Sequence, residues 1–276
     1  MIPYFHVPSL RLGPLELHAF GALVALGVFV AGRVALRRAE VTGPANGVDP
    51  EVLRDALPWA LGAGLVGAHL LHLFAYHPEE YKGGLSVLRV WDGLSSLGGV
   101  LGGLLGLMGF LWRRRQRQLT YLDTLAYGVA PGWTLGRVGC FLAHDHRGRL
   151  TEFPLAVKFP TGARHDLGLY ETFLLGGISL LIYLVGRKTT RPGIGLGILA
   201  LLYGVGRYLL DFLRATDLSY VDARYYGWTP AQYLSVAFVA TGAALLVRAV
   251  STTPAPPSVT AAVPAGAESR GKAARR

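Results

Sequence analysis

Apolar residues are gathered in runs near 17–36, 53–76, 94–112, 120–142, 168–186, 193–213 and 230–249, separated by shorter polar segments. Each run is close to the roughly 20 residues that a tilted helix needs to cross about 30 Å of hydrocarbon. Lipid offers the backbone no hydrogen-bond partner, so such runs must satisfy their own N–H and C=O groups as helices. The pattern predicts an all-α integral membrane protein with about seven transmembrane helices, filling residues 1–250 as one domain.

Basic residues set the expected orientation. Arg33, Arg37 and Arg38 follow the first run, Arg113, Arg114, Arg115 and Arg117 the third, Arg187, Lys188 and Arg191 the fifth, and Arg248 ends the seventh. Alternate loops are therefore predicted to be cytoplasmic, with the N-terminus outside and the C-terminus cytoplasmic. The 137–167 connection breaks the pattern by placing Arg137, Arg147, Arg149, Lys158 and Arg164 on the outer side. After Arg248 the composition turns to Ser, Thr, Pro, Ala and Gly, so 251–276 is expected to be a disordered, basic cytoplasmic tail. Its last arginines either touch anionic headgroups or are simply solvated.

Composition agrees: 51% of residues are hydrophobic and only 16% charged, and the 37 glycines suit close helix packing in lipid. The net charge of +10 is spread over separate loops rather than along one stripe, which argues for membrane topology and against nucleic acid. Cys140 is the single cysteine, so no intramolecular disulfide and no all-cysteine metal site can form. No cleavable signal peptide is predicted, because the apolar run after His18 continues to Arg33 without a small-residue cleavage site.

Chemistry concentrates in four places. Gly136-Arg137-Val138-Gly139-Cys140 opens a stretch that runs through His144, Asp145, His146, Arg147 and Gly148 and leaves an apolar span for a polar loop. An intramembrane arginine needs a partner or a function, and its planar fork fits phosphate oxygens while the N–H groups of Gly136 and Gly139 can approach the same anion. The alternative is an Arg137 that snorkels to the interface. Tyr203, Arg207 and Asp211 are four apart and share one helix face, which fits either an internal Arg207–Asp211 pair or an Arg207 available to a ligand. Trp91 to Gly99, with its paired Gly98 and Gly99, and Leu169-Tyr170-Glu171 fit structural roles equally well.

These segments, in this order, resemble the bacterial prolipoprotein diacylglyceryl transferases over roughly residues 15–240. The glycine-arginine signature at 136–148 is joined by Arg89 to Asp92, Asp123, Ala130-Pro131, Tyr170-Glu171, Tyr203 to Arg207 and Thr229 to Ser235. The resemblance implies an inner-membrane enzyme that moves diacylglyceryl from phosphatidylglycerol to the lipobox cysteine thiol of a prolipoprotein signal peptide, releasing glycerol phosphate, without a cofactor. By position it assigns function to Arg137, Arg207, Tyr203 and Asp145, with Gly136, Gly139, Gly98 and Gly99 lining the lipid headgroup.

The chain departs from the family at Leu97, where a histidine usually precedes the paired glycines, and at Phe20, Ala143 and His144. Leucine takes no proton, so His144, His146 or His72 becomes the candidate replacement base. A non-catalytic binder of phospholipid or lipoprotein precursor, or a transferase with another acceptor, is the alternative that Leu97 leaves open. Two histidines around Asp145 raise a metal site, but the sequence names no further ligand and none is expected. Cys140 reads as a packing residue rather than a nucleophile.

Overall fold

The computed structural model describes residues 1–12, 15–76, 83, 93–189, 191–218 and 224–251. The Arg89–Asp92 part of the third motif and the tail from 252 lie outside these residues, as does the side chain of Leu97. The described chain folds into helices α1 (Ala19–Asn46), α2 (Pro50–Leu71), α3 (Ser96–Arg113), α4 (Gln118–Ala143), α5 (Leu167–Gly186), α6 (Ile194–Asp211) and α7 (Pro230–Ser251), with a π-helical turn at His72–Tyr76. Among the described residues, five stretches are long and apolar enough to cross a membrane: α1, Pro50–Phe74, α5, α6 and α7. The protein is mostly helical and a membrane protein by this measure.

Among the described residues, two sheets correct the all-α expectation. Strands β1 (Ile2–Pro3), β4 (Arg147–Leu150), β5 (Val157–Phe159) and β6 (Gly162–Asp166) form one in the order β1-β5-β6-β4, while β2 (Leu10–Leu12) and β3 (Leu15–Leu17) form a hairpin. Strands of two to five residues are too short to show alternation, and polar runs such as Arg147-Gly148-Arg149 read as loop. Within the 137–167 stretch, α4 runs on to Ala143 and strands β4, β5 and β6 join it to α5, locked to the N-terminus through β1 beside β5.

Helix ends follow local chemistry. Asp49, Ser95 and Asp166 cap α2, α3 and α5 by accepting from Glu51, Gly98 and Leu169 N–H groups. The α6 N-terminus is capped across helices: Asp123 of α4 accepts from the Leu196 N–H at 2.9 Å. Arg38 of α1 donates to the Gly186 carbonyl at 2.9 Å and to Thr189 at 3.3 Å, with its guanidinium 4.2 Å from the Tyr127 ring. These bonds tie α1, α4, α5 and α6 at the end away from the larger sheet. Helix α4 lies centrally, against α1, α5 and α6, which is why it carries Thr120, Asp123 and Thr124 buried and does not stand among the most apolar helices.

Glycine sets the α2–α3 contact. A Cβ on Gly67 would lie 2.8 Å from the Gly102 Cα and 2.6 Å from the Gly98 carbonyl oxygen, so only hydrogen allows this approach. Gly67→Val is expected to lower stability by about 1–3 kcal/mol or to prevent insertion. Gly109→Ala, with nothing within 4 Å, is expected to be silent. The thermal midpoint in detergent, compared between the two variants, checks this.

Candidate functional site

The signature arginine occupies the last turns of α4 on the same face as Cys140, whose sulfur accepts from Arg137 Nη1 at 3.8 Å. The α6 face that carries Tyr203, Arg207 and Asp211 turns toward it, because residues four apart stack along one side of a helix. Between them stands Glu171, in the second turn of α5 and wholly buried. Arg137 Nε lies 2.9 Å from Glu171 Oε2, and Arg207 Nη1 donates to Oε1 at 2.6 Å. Tyr203 Oη donates to Oε2 at 3.1 Å, while Arg137 Nη2 lies 3.4 Å from that hydroxyl. The Trp133 ring packs on Tyr203 at 4.4 Å between centroids.

The network continues outward. Arg207 Nη2 is 3.2 Å from Asp211 Oδ1, and Arg214 Nε is 3.0 Å from the same oxygen. Thr229 Oγ1 donates to Asp211 Oδ2, and its backbone N–H meets Gln232 Oε1 at 3.1 Å, which brings the start of α7 into the cluster. Among the described residues, three arginines face these two wholly buried carboxylates in a low-dielectric setting.

The internal-pair reading of Arg207 holds: it meets Asp211, and it also shares an anion with Arg137. That anion is Glu171 of the chain itself. Arg137 is not a snorkelling residue, since its side chain is 15% exposed and engaged by α5 and α6. The sequence leaves Glu171 open between a structural and a functional role. The signal available was its place beside Tyr170 in the resembling motif, but nothing local showed that two arginines would reach it.

Asp145 sits at the rim. Helix α4 ends at His144 in the left-handed region, φ +50°, and this reversal folds Asp145 and His146 back toward Cys140. His146 Nδ1 pairs with Asp145 Oδ1. His144 itself is 4% exposed, holds Asp166 Oδ2 through Nδ1 at 2.7 Å, and is enclosed by Tyr4, Phe5, Phe141 and Phe159. Burial pushes the Asp166 carboxyl up and the His144 bond draws it back. His72 stands in the π-helical turn with its ring against Gly93.

The glycines divide. Gly136 has open space around its Cα and Gly139 admits Phe20 of α1, both beside Arg137. Gly98 and Gly99 lie in the α2–α3 contact, and no described bond joins them to the arginine cluster. Nearby in the sheet, Arg164 grips Asp217 with two nitrogens, which holds that carboxyl below its usual range.

Comparison with known proteins places these residues in context. The family model for prolipoprotein diacylglyceryl transferase matches residues 8–248. A phosphatidylglycerol–prolipoprotein diacylglyceryl transferase of Brucella anthropi is 34% identical, covering 87% of this chain and 90% of its own. The enzyme of that name from Pseudomonas paraeruginosa is 31% identical over 90% of this chain and 94% of its own. One from Roseobacter denitrificans is 32% identical over 71% and 76%.

The ion-pair geometry makes a direct prediction. Glu171→Gln keeps the shape but leaves two buried arginines against each other, so stability is expected to fall by about 3–5 kcal/mol. Adding Arg207→Met removes one of the repelling charges, and the double variant is expected to be less destabilised than the sum of the single ones. Thermal midpoints for the four members of this cycle check it.

Proposed function

The chain belongs to the prolipoprotein diacylglyceryl transferase family, and from that premise we propose that it transfers the diacylglyceryl group of phosphatidylglycerol to the lipobox cysteine of prolipoproteins. In this reading it spans the inner membrane seven times, with the larger sheet and the N-terminus outside. The acceptor arrives on a signal peptide held in the membrane. The observation that carries the reading is the convergence of Arg137 and Arg207 from separate helices on one buried carboxylate, Glu171.

In the reaction the acceptor sulfur attacks the glyceryl carbon, the bond from that carbon to the phosphate oxygen breaks, and glycerol phosphate leaves with the electron pair. Arg137 and Arg207 hold the phosphate through forked hydrogen bonds and stabilise the charge that grows on it. Tyr203, fixed by Trp133 and Glu171, orients it. Gly136, with open space at its Cα, leaves room for the headgroup.

The thiol proton needs an acceptor other than Leu97. Of the three histidine candidates, His146 is supported best: Asp145 holds its Nδ1, the pair is reachable from solvent, and it adjoins Cys140 beside Arg137. His144 is enclosed by aromatic rings. Asp145 then positions the base as well as the loop.

Expression in cells depleted of their own transferase tests the function, with prolipoprotein mobility and lipid labelling as readouts. Modification is expected; stable expression with unmodified precursor would leave a lipid-binding protein instead. Arg137→Lys and Arg207→Lys, which keep charge and lose the fork, are each expected to lower turnover by about 10²-fold or more. His146→Ala is expected to lower it by about 10² to 10⁴-fold, and Leu97→His in that background to restore part of the loss. Topology is checked by labelling Thr161→Cys and Arg115→Cys in a Cys140→Ala background, where opposite sides are expected to react.

A further inference from the structure

Sequence reading found two histidines around Asp145 and no further ligand. The fold supplies one. Ligand atoms of Cys140, Asp145 and His146 all lie within 4.8 Å of one another, although the cysteine belongs to α4 and the other two follow its end. The left-handed turn at His144 is the cause: a continuing helix would carry residues 145 and 146 onward along its axis, whereas the reversal sets them over the thiol.

We propose that Cys140, Asp145 and His146 form a site for a borderline-soft divalent cation of the zinc class. Sulfur, imidazole nitrogen and carboxylate oxygen together are the donors this class prefers, and magnesium or calcium would not select them. Three protein ligands leave the fourth tetrahedral position to water or to an incoming sulfur. Binding expels the Cys140 thiol proton to solvent. Asp145 is exposed and His146 half-buried, so the cation has an entry path from the sheet side.

The site deepens the transferase reading in one respect and rests on it only there. A filled site turns His146 and Asp145 into ligands and removes them from proton transfer, so the cation silences the reaction. Emptying it restores the base.

Binding is tested without any transfer assay. The purified full chain, stripped with chelator, is titrated with Co²⁺ as a spectroscopic probe. One Co²⁺ per chain is expected, with the ultraviolet sulfur-to-cobalt absorption that only Cys140, the single cysteine, can give. Cys140→Ser is expected to abolish that absorption. His146→Ala, on the turn beyond the helix, is expected to weaken binding by about tenfold or more while the fold persists. Absence of the sulfur absorption at stoichiometric Co²⁺, or binding unchanged in either variant, overturns the site. In a second arm, Zn²⁺ is expected to lower transfer by the unaltered chain and chelator to reverse it. Binding without inhibition would sink the regulatory role alone, and absence of transfer altogether would refute the transferase reading while leaving the binding result in place.

Discussion

Glu171 is the constraint on which the sheet end of the bundle depends. A buried arginine must find a counter-charge, and here two of them, on α4 and α6, find the same one on α5. Because a buried pair is costly to separate, this fixes the register of three helices against each other, whatever its net contribution against an apolar replacement. Tyr203 and Asp211 are held by the same contacts, and Asp211 passes the restraint through Thr229 to α7. A single carboxylate thus orders side chains drawn from elements that lie far apart in the chain.

The other end is held by a different device. Asp123 supplies an acceptor to the exposed amides that begin α6, and Arg38 supplies donors to the carbonyls that end α5. Helix termini within a membrane protein carry unsatisfied groups that lipid does not serve, so charged side chains from neighbouring helices take that role. With polar bonds at both ends and glycine-permitted contact along its length, α4 can sit in the middle without being strongly apolar.

Much of this was legible in the sequence, and the illegible parts share a cause. Helix positions follow from run length, which is local: α5 at Leu167–Gly186 and α7 at Pro230–Ser251 each share one end with the apolar run and differ by no more than two residues at the other. The first helix runs on to Asn46, past Arg33, Arg37 and Arg38, because Pro44 near its end is tolerated and Gly47 provides the left-handed cap. Spacing placed Tyr203, Arg207 and Asp211 on one face. It did not place Glu171, which meets Arg137 only after the sheet has turned α5 back along α4. Nor did it join Cys140 to His146, since the left-handed residue at the hinge is a histidine and carries no glycine signal.

The charge balance of the site also bears on how the proposed reaction would be accelerated. Phosphatidylglycerol brings a phosphodiester with one negative charge, and glycerol phosphate leaves as a monoester able to carry a second. In the proposed reaction the negative charge that grows as the carbon–oxygen bond breaks meets guanidinium groups already in place. Since Glu171 and Asp211 hold those groups before the lipid enters, little reorganisation accompanies the step, and the attraction rises with the charge on the leaving oxygen. Interactions that strengthen toward the transition state raise turnover, whereas those equal in both states only tighten binding. A fully neutralised cluster would lose that gain, and one with all three arginines unpaired would hold the product too firmly to release it. In the proposed reaction the two buried carboxylates therefore set the strength of phosphate binding as much as the arginines do.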